Sequence, residues 1–217
     1  MRRVLAVIVA VVVGLLVGRI SAPGSAPSPP AAAESPGPTS EGVGGVGVGY
    51  AHTRDGAVAA SARYQQAFAD TAILRPAELR RRIEAVATSD FAPAMLAANE
   101  PGAARLARGA LGEGLRAGVP SAYFGVPVAY RVLYYSPRRA LIQTWGFTVL
   151  GNATSVEPSA YFGLSRMELV WREGDWKIAD TRASFGPTPR PASPRHGGEG
   201  FGLIDLVREM RPYAVGP

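Results

Sequence analysis

The sequence predicts an α+β domain, three helices packed on a curved four-stranded antiparallel sheet, carried behind an N-terminal transmembrane helix and a disordered linker. Three observations predict it. Apolar residues recur at helical spacing between Ala57 and Leu115, they alternate with period two from Val126 onward, and an unbroken apolar run fills Val4 to Gly18. Helices gathered ahead of the strands, rather than interleaved with them, belong on one face of an antiparallel sheet.

The apolar run comes first in the chain, between Met1-Arg2-Arg3 and Arg19-Ile20. Val4 to Ile20 is 17 residues, the short end of what spans a bilayer, provided Arg19 snorkels its guanidinium to the outer interface. A secretory signal has the same charged start but needs a small-residue cleavage site, and here Ala22 is followed by Pro23 and Ala26 by Pro27. Residues 1–20 are therefore expected to be an uncleaved, single-pass anchor in the cell membrane, with secretion after signal cleavage as the alternative. Two arginines before the span and one after put the N-terminus in the cytoplasm and the body outside it.

Residues 21–49 are Pro, Ala, Ser and Gly with almost no large apolar side chain, the composition of a disordered linker. As a flexible coil, such a leash spans on the order of 30 Å. Its end holds the pattern G-x-G-x-x-G at Gly42, Gly44 and Gly47, but a proline-rich stretch stands where a dinucleotide site needs a strand. No such site is expected.

The folded domain, residues 50–187, opens with helices. Thr53 or Asp55 can cap a helix whose Ala57, Ser61, Tyr64 and Phe68 share a stripe. Pro76 sits at a helix start, and Leu79, Ile83 and Val86 follow at helical spacing. A third helical region runs from Phe91 to Arg116, with a break expected at Pro101-Gly102. Strands follow. Val126 to Tyr134 alternate, Ser136 to Arg139 turn the chain, and Leu141, Trp145, Phe147 and Val149 share a face. Met167, Leu169 and Trp171 line one face of the next strand, and Glu173-Gly174-Asp175 turns into Trp176 to Asp180. Connections this short force antiparallel pairing. Residues 188–200 are expected to be flexible and 201–211 to form a short C-terminal helix docking on protein.

Composition removes several classes of function. Without cysteine there is no disulfide framework, thiolate metal site or cysteine nucleophile. The formal charge of +6 is partly the anchor's, and Tyr50 to Pro187 holds 16 basic against 12 acidic residues, widely spread. Arg80-Arg81-Arg82 is the one tight cluster and reads as a solvated helix face, so no nucleic-acid partner is expected.

Three helices followed by four strands, ending on Gly174-Asp175-Trp176-Lys177-Ile178, resemble the cone-shaped fold of nuclear transport factor and SnoaL proteins. The leading segment Gly49 to Ala57, after an anchor and tether, is similar to uncharacterised membrane proteins of high-GC Gram-positive bacteria, the actinobacterial type. By architecture alone the chain also resembles TcpC-type conjugation proteins. That resemblance implies a scaffold in a conjugation or secretion assembly, with other envelope proteins or a second copy as partners.

Enzymes of the cone fold keep a carboxylate or histidine inside the cavity, and this chain offers little there. His52 precedes the first helix and His196 lies in the C-terminal Pro/Gly-rich stretch, so neither catalysis nor a metal site is expected of them, and no cofactor is implied. The candidate cavity-lining residues are Tyr130, Tyr134, Trp145, Met167, Trp171 and Asp180, although the favoured reading of the aromatics is core filling and that of Asp180, next to Thr181-Arg182, a paired surface group. Asn152-Ala153-Thr154 matches a glycosylation triplet by accident of sequence. The leading expectation is a non-catalytic, membrane-tethered extracytoplasmic scaffold. The alternative is an exported small-molecule binder, isomerase or hydrolase, which needs an open cavity with a polar group such as Asp180 or Gln143.

Overall fold

The computed structural model describes residues 36–189 and 209–213. The expected anchor, the first part of the linker and most of segments 188–200 and 201–211 lie outside the described residues. Within them, no helix is long and apolar enough to cross a membrane.

The glycine-rich end of the expected linker is folded. Strands β1 (Ser40–Glu41) and β2 (Gly47–Val48) pair antiparallel around a tight helical turn at Val43–Gly45. Gly44 and Gly45 take φ of 75° and 71°, the left-handed region that side chains avoid, which is why this stretch is glycine. Val46, only 2 % exposed, and Tyr50 are buried in the core, and the Tyr50 N–H donates to Asp175 Oδ1 at 3.1 Å. The disordered reading is therefore corrected for residues 36–49. A composition that lacks side chains described a turn here, and two buried side chains hold it down.

Helix α1 (Arg54–Ala67) starts at Thr53, whose hydroxyl accepts the Gly56 N–H at 3.0 Å. Its buried face of Ala57, Ala60, Ser61 and Tyr64 lies against the sheet, and the Tyr64 hydroxyl donates to the Trp176 carbonyl at 2.7 Å. Helix α2 (Pro76–Val86) begins at the predicted proline and buries Leu79, Ile83 and Val86. The third region is two helices, α3 (Ala92–Arg108) and α4 (Ala110–Arg116). The break falls at Gly109, whose extended backbone (φ −83°, ψ −176°) ends one helix and caps the next. Pro101 stays inside α3 because Ala97, whose carbonyl loses its partner to the missing N–H, is exposed and can be solvated.

Four long strands follow: β3 (Ser121–Ser136), β4 (Arg139–Asn152), β5 (Ser159–Arg172) and β6 (Asp175–Phe185). A fifth, β7 (Arg211–Pro212), joins the free edge of β3, so the sheet order is β6-β5-β4-β3-β7, all antiparallel. Of the expected C-terminal helix, the described residues are a turn at Glu209, an irregular Met210 and a strand residue, Arg211, whose backbone pairs with Tyr130. Bulges at Val128, Leu133 and Ala179 bend the sheet. The β5–β6 turn uses Glu173 at φ 56° and Gly174 at φ 75°, a two-residue hairpin with both central residues left-handed.

Helix-facing residues Ala140, Ile142, Met167, Leu169, Trp176 and Ile178 form the main core with α1 and α2. Trp176 is wholly buried and its Nε1 donates to the Ala51 carbonyl at 3.0 Å. This core occupies the end of the sheet that holds the β3–β4 and β5–β6 turns. The expected face of Leu141, Trp145, Phe147 and Val149 is the opposite one. There Trp145, Ala129 and Met210 make a second, smaller cluster with Phe162 and Leu164.

A candidate binding groove without charge

The strands run on past the helices, and the helix-side face of their far half is a groove of about 810 Å³. It exists because its floor lacks side chains. Pro127, Gly146, Gly163 and Phe185 stand opposite one another on adjacent strands, with Gly125 one step along β3. A Cβ on Gly146 would lie 2.4 Å from the Val126 carbonyl oxygen, and one on Gly163 would lie 2.9 Å from that of Ser184, so the bend in the sheet also demands glycine. Thr144, Thr148, Ser165, Thr181 and Ala183 complete a floor of small groups. Gln65 of α1, Phe68 just past its end, and Met95, Asn99 and Leu106 of α3 form the walls; Tyr123, Tyr161 and Phe185 stand at the rim.

Among the described residues that line it, the groove holds no Asp, Glu, His, Lys or Arg. Its polar groups are amides and hydroxyls. Gln65 Nε2 donates to Ser165 Oγ, and Asn99 Nδ2 donates to the Met95 carbonyl at 2.8 Å. Burial pushes the Tyr123 hydroxyl up, away from any use near neutrality. This described lining is a mixed apolar and hydrogen-bonding surface.

The six predicted residues are scattered by the fold. Met167 lines the groove and is buried. Tyr130 leans on Tyr213 with ring centres 4.7 Å apart, between sheet and helix. Tyr134 is exposed. Trp145 is buried on the other face, where its Nε1 donates to the Pro187 carbonyl at 3.1 Å. Trp171 stacks on His52 at 3.9 Å, and Asp180 pairs with Arg182 at 3.4 Å, half-exposed. Gln143 also lies on the outer face, where Arg131 Nη2 donates to its Oε1 at 3.0 Å. The cavity is thus neither filled by Trp145 and Trp171 nor supplied by Asp180 or Gln143. The floor glycines and Gln65 were missed, although glycine recurring inside strands was a signal available in the sequence.

The remaining polar clusters are structural. His52 Nε2 meets the Pro137 carbonyl, holding the first helix to the β3–β4 turn. Arg82, buried, binds Glu78 Oε1 at 3.2 Å through Nε and Asp70 Oδ2 at 3.3 Å, and donates to the Ala67 carbonyl at 2.6 Å. These bonds hold the Glu78 carboxyl below its ordinary range. Asp175 Oδ1 accepts both the Tyr50 and Trp176 N–H groups, tying the strand start to the helix leader. The Asn152 side chain is buried: Nδ2 donates to the Ala110 carbonyl, and Oδ1 accepts three successive amides from Thr154 to Val156. That amide nitrogen is closed to glycosylation. Among the described residues no group of acidic or histidine side chains could hold a metal ion.

Residues 23–196, most of the chain, match the model of one family, described as a domain of unknown function (DUF8175). No curated protein and no solved structure matches.

Proposed function

The chain belongs to the DUF8175 family, a domain of unknown function, and on that footing we propose that it is a non-catalytic interaction domain, tethered to the membrane and working outside the cytoplasm. The observation that carries this reading is the groove: large, open, and lined among the described residues by neutral groups alone. Acid–base catalysis needs a titrating group within hydrogen-bond reach of the substrate. Binding needs only shape, apolar area and a few placed amides and hydroxyls. The apolar run Val4 to Gly18 with its flanking arginines supports the anchor and its orientation. Because residues 36–49 are folded, the tether reading is confined to the stretch before residue 36. The cone-shaped fold of SnoaL proteins remains our reading of the helix order and the Asp175-Trp176-Lys177-Ile178 strand start, and a conjugation or secretion assembly our reading of the anchored architecture.

Protease treatment of intact cells tests the topology. The reading expects the body to be cut without lysis and the N-terminus to be protected; digestion only after lysis refutes it. A second reading, a carrier of uncharged small molecules, is favoured by one observation: about 810 Å³ is room for a drug-sized ligand. Native mass spectrometry of the purified protein separates the two. A retained small molecule supports the carrier, and a clean protein mass supports the interaction domain.

A further inference from the structure

We infer that the outer edge of β6, from Thr181 to Phe185, takes an extended segment of a partner protein as an added strand, uncharged where it faces the groove and acidic where it faces outward. This deepens the interaction-domain reading and rests on it.

The edge is shaped for pairing. β6 ends the sheet and has β5 on one side. The Gly186 N–H donates to the Phe162 carbonyl at 2.9 Å, and Ser184 and Arg182 stand opposite Leu164 and Arg166. In an antiparallel ladder the even positions therefore point their backbone groups at β5, and Thr181, Ala183 and Phe185 point theirs away from the sheet. Earlier in the strand the edge is already used: the Ile178 carbonyl accepts the Thr88 N–H at 2.9 Å. Among the described residues no strand pairs with the outer edge of 181–185, and a row of unpaired amides and carbonyls is a template for another strand. The side chains of these same three residues lie along the groove, with Phe185 88 % exposed. Every second side chain of an added strand would join that neutral surface.

The outer face sets the other half of the pattern. Arg131, Gln143, Arg166 and Arg182 form one cross-strand row. At the β3 end the chain itself answers it. Glu209 pairs with Arg131, Met210 packs by Trp145, and Arg211–Pro212 add to β3. Tyr213 then crosses to the helix side, where its hydroxyl meets Ser61 and Thr144. An acid outward, an uncharged side chain inward and a short strand between them already serve one edge of this sheet. At the β6 end, Arg166 is exposed, and among the described residues Arg182 makes an ion pair with Asp180 alone, with 82 % of its side chain in solvent. Charge complementarity therefore favours an acidic residue there.

The test uses the full chain in detergent micelles and a fluorescent peptide of about eight residues alternating valine and glutamate, followed by anisotropy. Binding is expected, with the valine–lysine counterpart at least about tenfold weaker. Ala183→Pro removes the outward N–H at a position where an edge strand tolerates proline, and should abolish binding with circular dichroism and unfolding midpoint unchanged. Arg182→Glu should reverse the charge preference. Undiminished binding by a folded Ala183→Pro variant, or equal affinity for both peptides, overturns the inference. A partner crosslinked to the groove walls but insensitive to both substitutions would sink strand addition and leave the interaction domain standing.

Discussion

Single residues show where this fold is held by polar bonds rather than by area. Arg82 is the clearest case, since it joins Glu78 and Asp70 beneath the glycine hairpin with both Arg82 and Glu78 buried. Arg82→Met should cost about 1–3 kcal/mol in urea unfolding because it leaves the buried Glu78 Oε1 without its partner while Arg81 still holds Oε2, and adding Glu78→Leu should recover part of that. The same pair sets an acid limb. The Glu78 carboxyl titrates below its ordinary value of 4.5 through its hydrogen bond from Arg82, so its contribution is present above that value and lost as the pH falls through the lowered one. Glu78→Gln should flatten stability against pH in this window; an unchanged slope would show that the pair does not act. Tyr213→Phe removes the hydroxyl that meets both Ser61 and Thr144, and should cost roughly 1–2 kcal/mol by the same measurement.

Among the elements, glycines separate sites that demand absence of a side chain from sites that merely lack one. Gly146→Ala puts a Cβ 2.4 Å from the Val126 carbonyl oxygen, so β3 and β4 must part at the bulge, with an expected loss of about 1–3 kcal/mol. Gly102→Ala in α3 meets nothing within 4 Å and should stabilise by about 0.5–1 kcal/mol; thermal unfolding of the two variants should move in opposite directions. This contrast also explains what was legible in the sequence. The Thr53 cap, the Pro76 start and the turns at Ser136–Arg139 and Glu173-Gly174 are written in neighbouring residues, and each was readable. The break at Gly109 was misplaced because a proline looks like the stronger breaker until its exposed position is known. The hairpin at 40–48 and strand β7 depend on Val46, Tyr50, Met210 and Tyr213 finding partners far away in sequence, which no local pattern reports. The groove was harder still. It is made by missing side chains on three strands whose register had to be known before the glycines could be seen to align.

For the whole molecule, the sheet divides into a half packed under helices and a half left open, and the two halves behave differently. The packed half carries tyrosines whose hydroxyls burial pushes above the ordinary 10.0: Tyr50 and Tyr64 well above it, and Tyr213 in the same direction. Their contribution is present below about pH 10, where the unfolded chain is also protonated, and is lost as the pH rises further, so unfolding in strong alkali should be cooperative and coincide with tyrosinate absorbance. The open half carries the proposed function, and its neutrality is the central point of the account. A photocrosslinking amino acid placed at Thr148 in the groove, compared with one at exposed Arg138 in the full chain in living cells, tests that point most directly. The account predicts a discrete adduct with another envelope protein or a second copy from position 148 and none from 138. A groove that yields no protein adduct, while the purified protein retains a small molecule it converts to product, would contradict it.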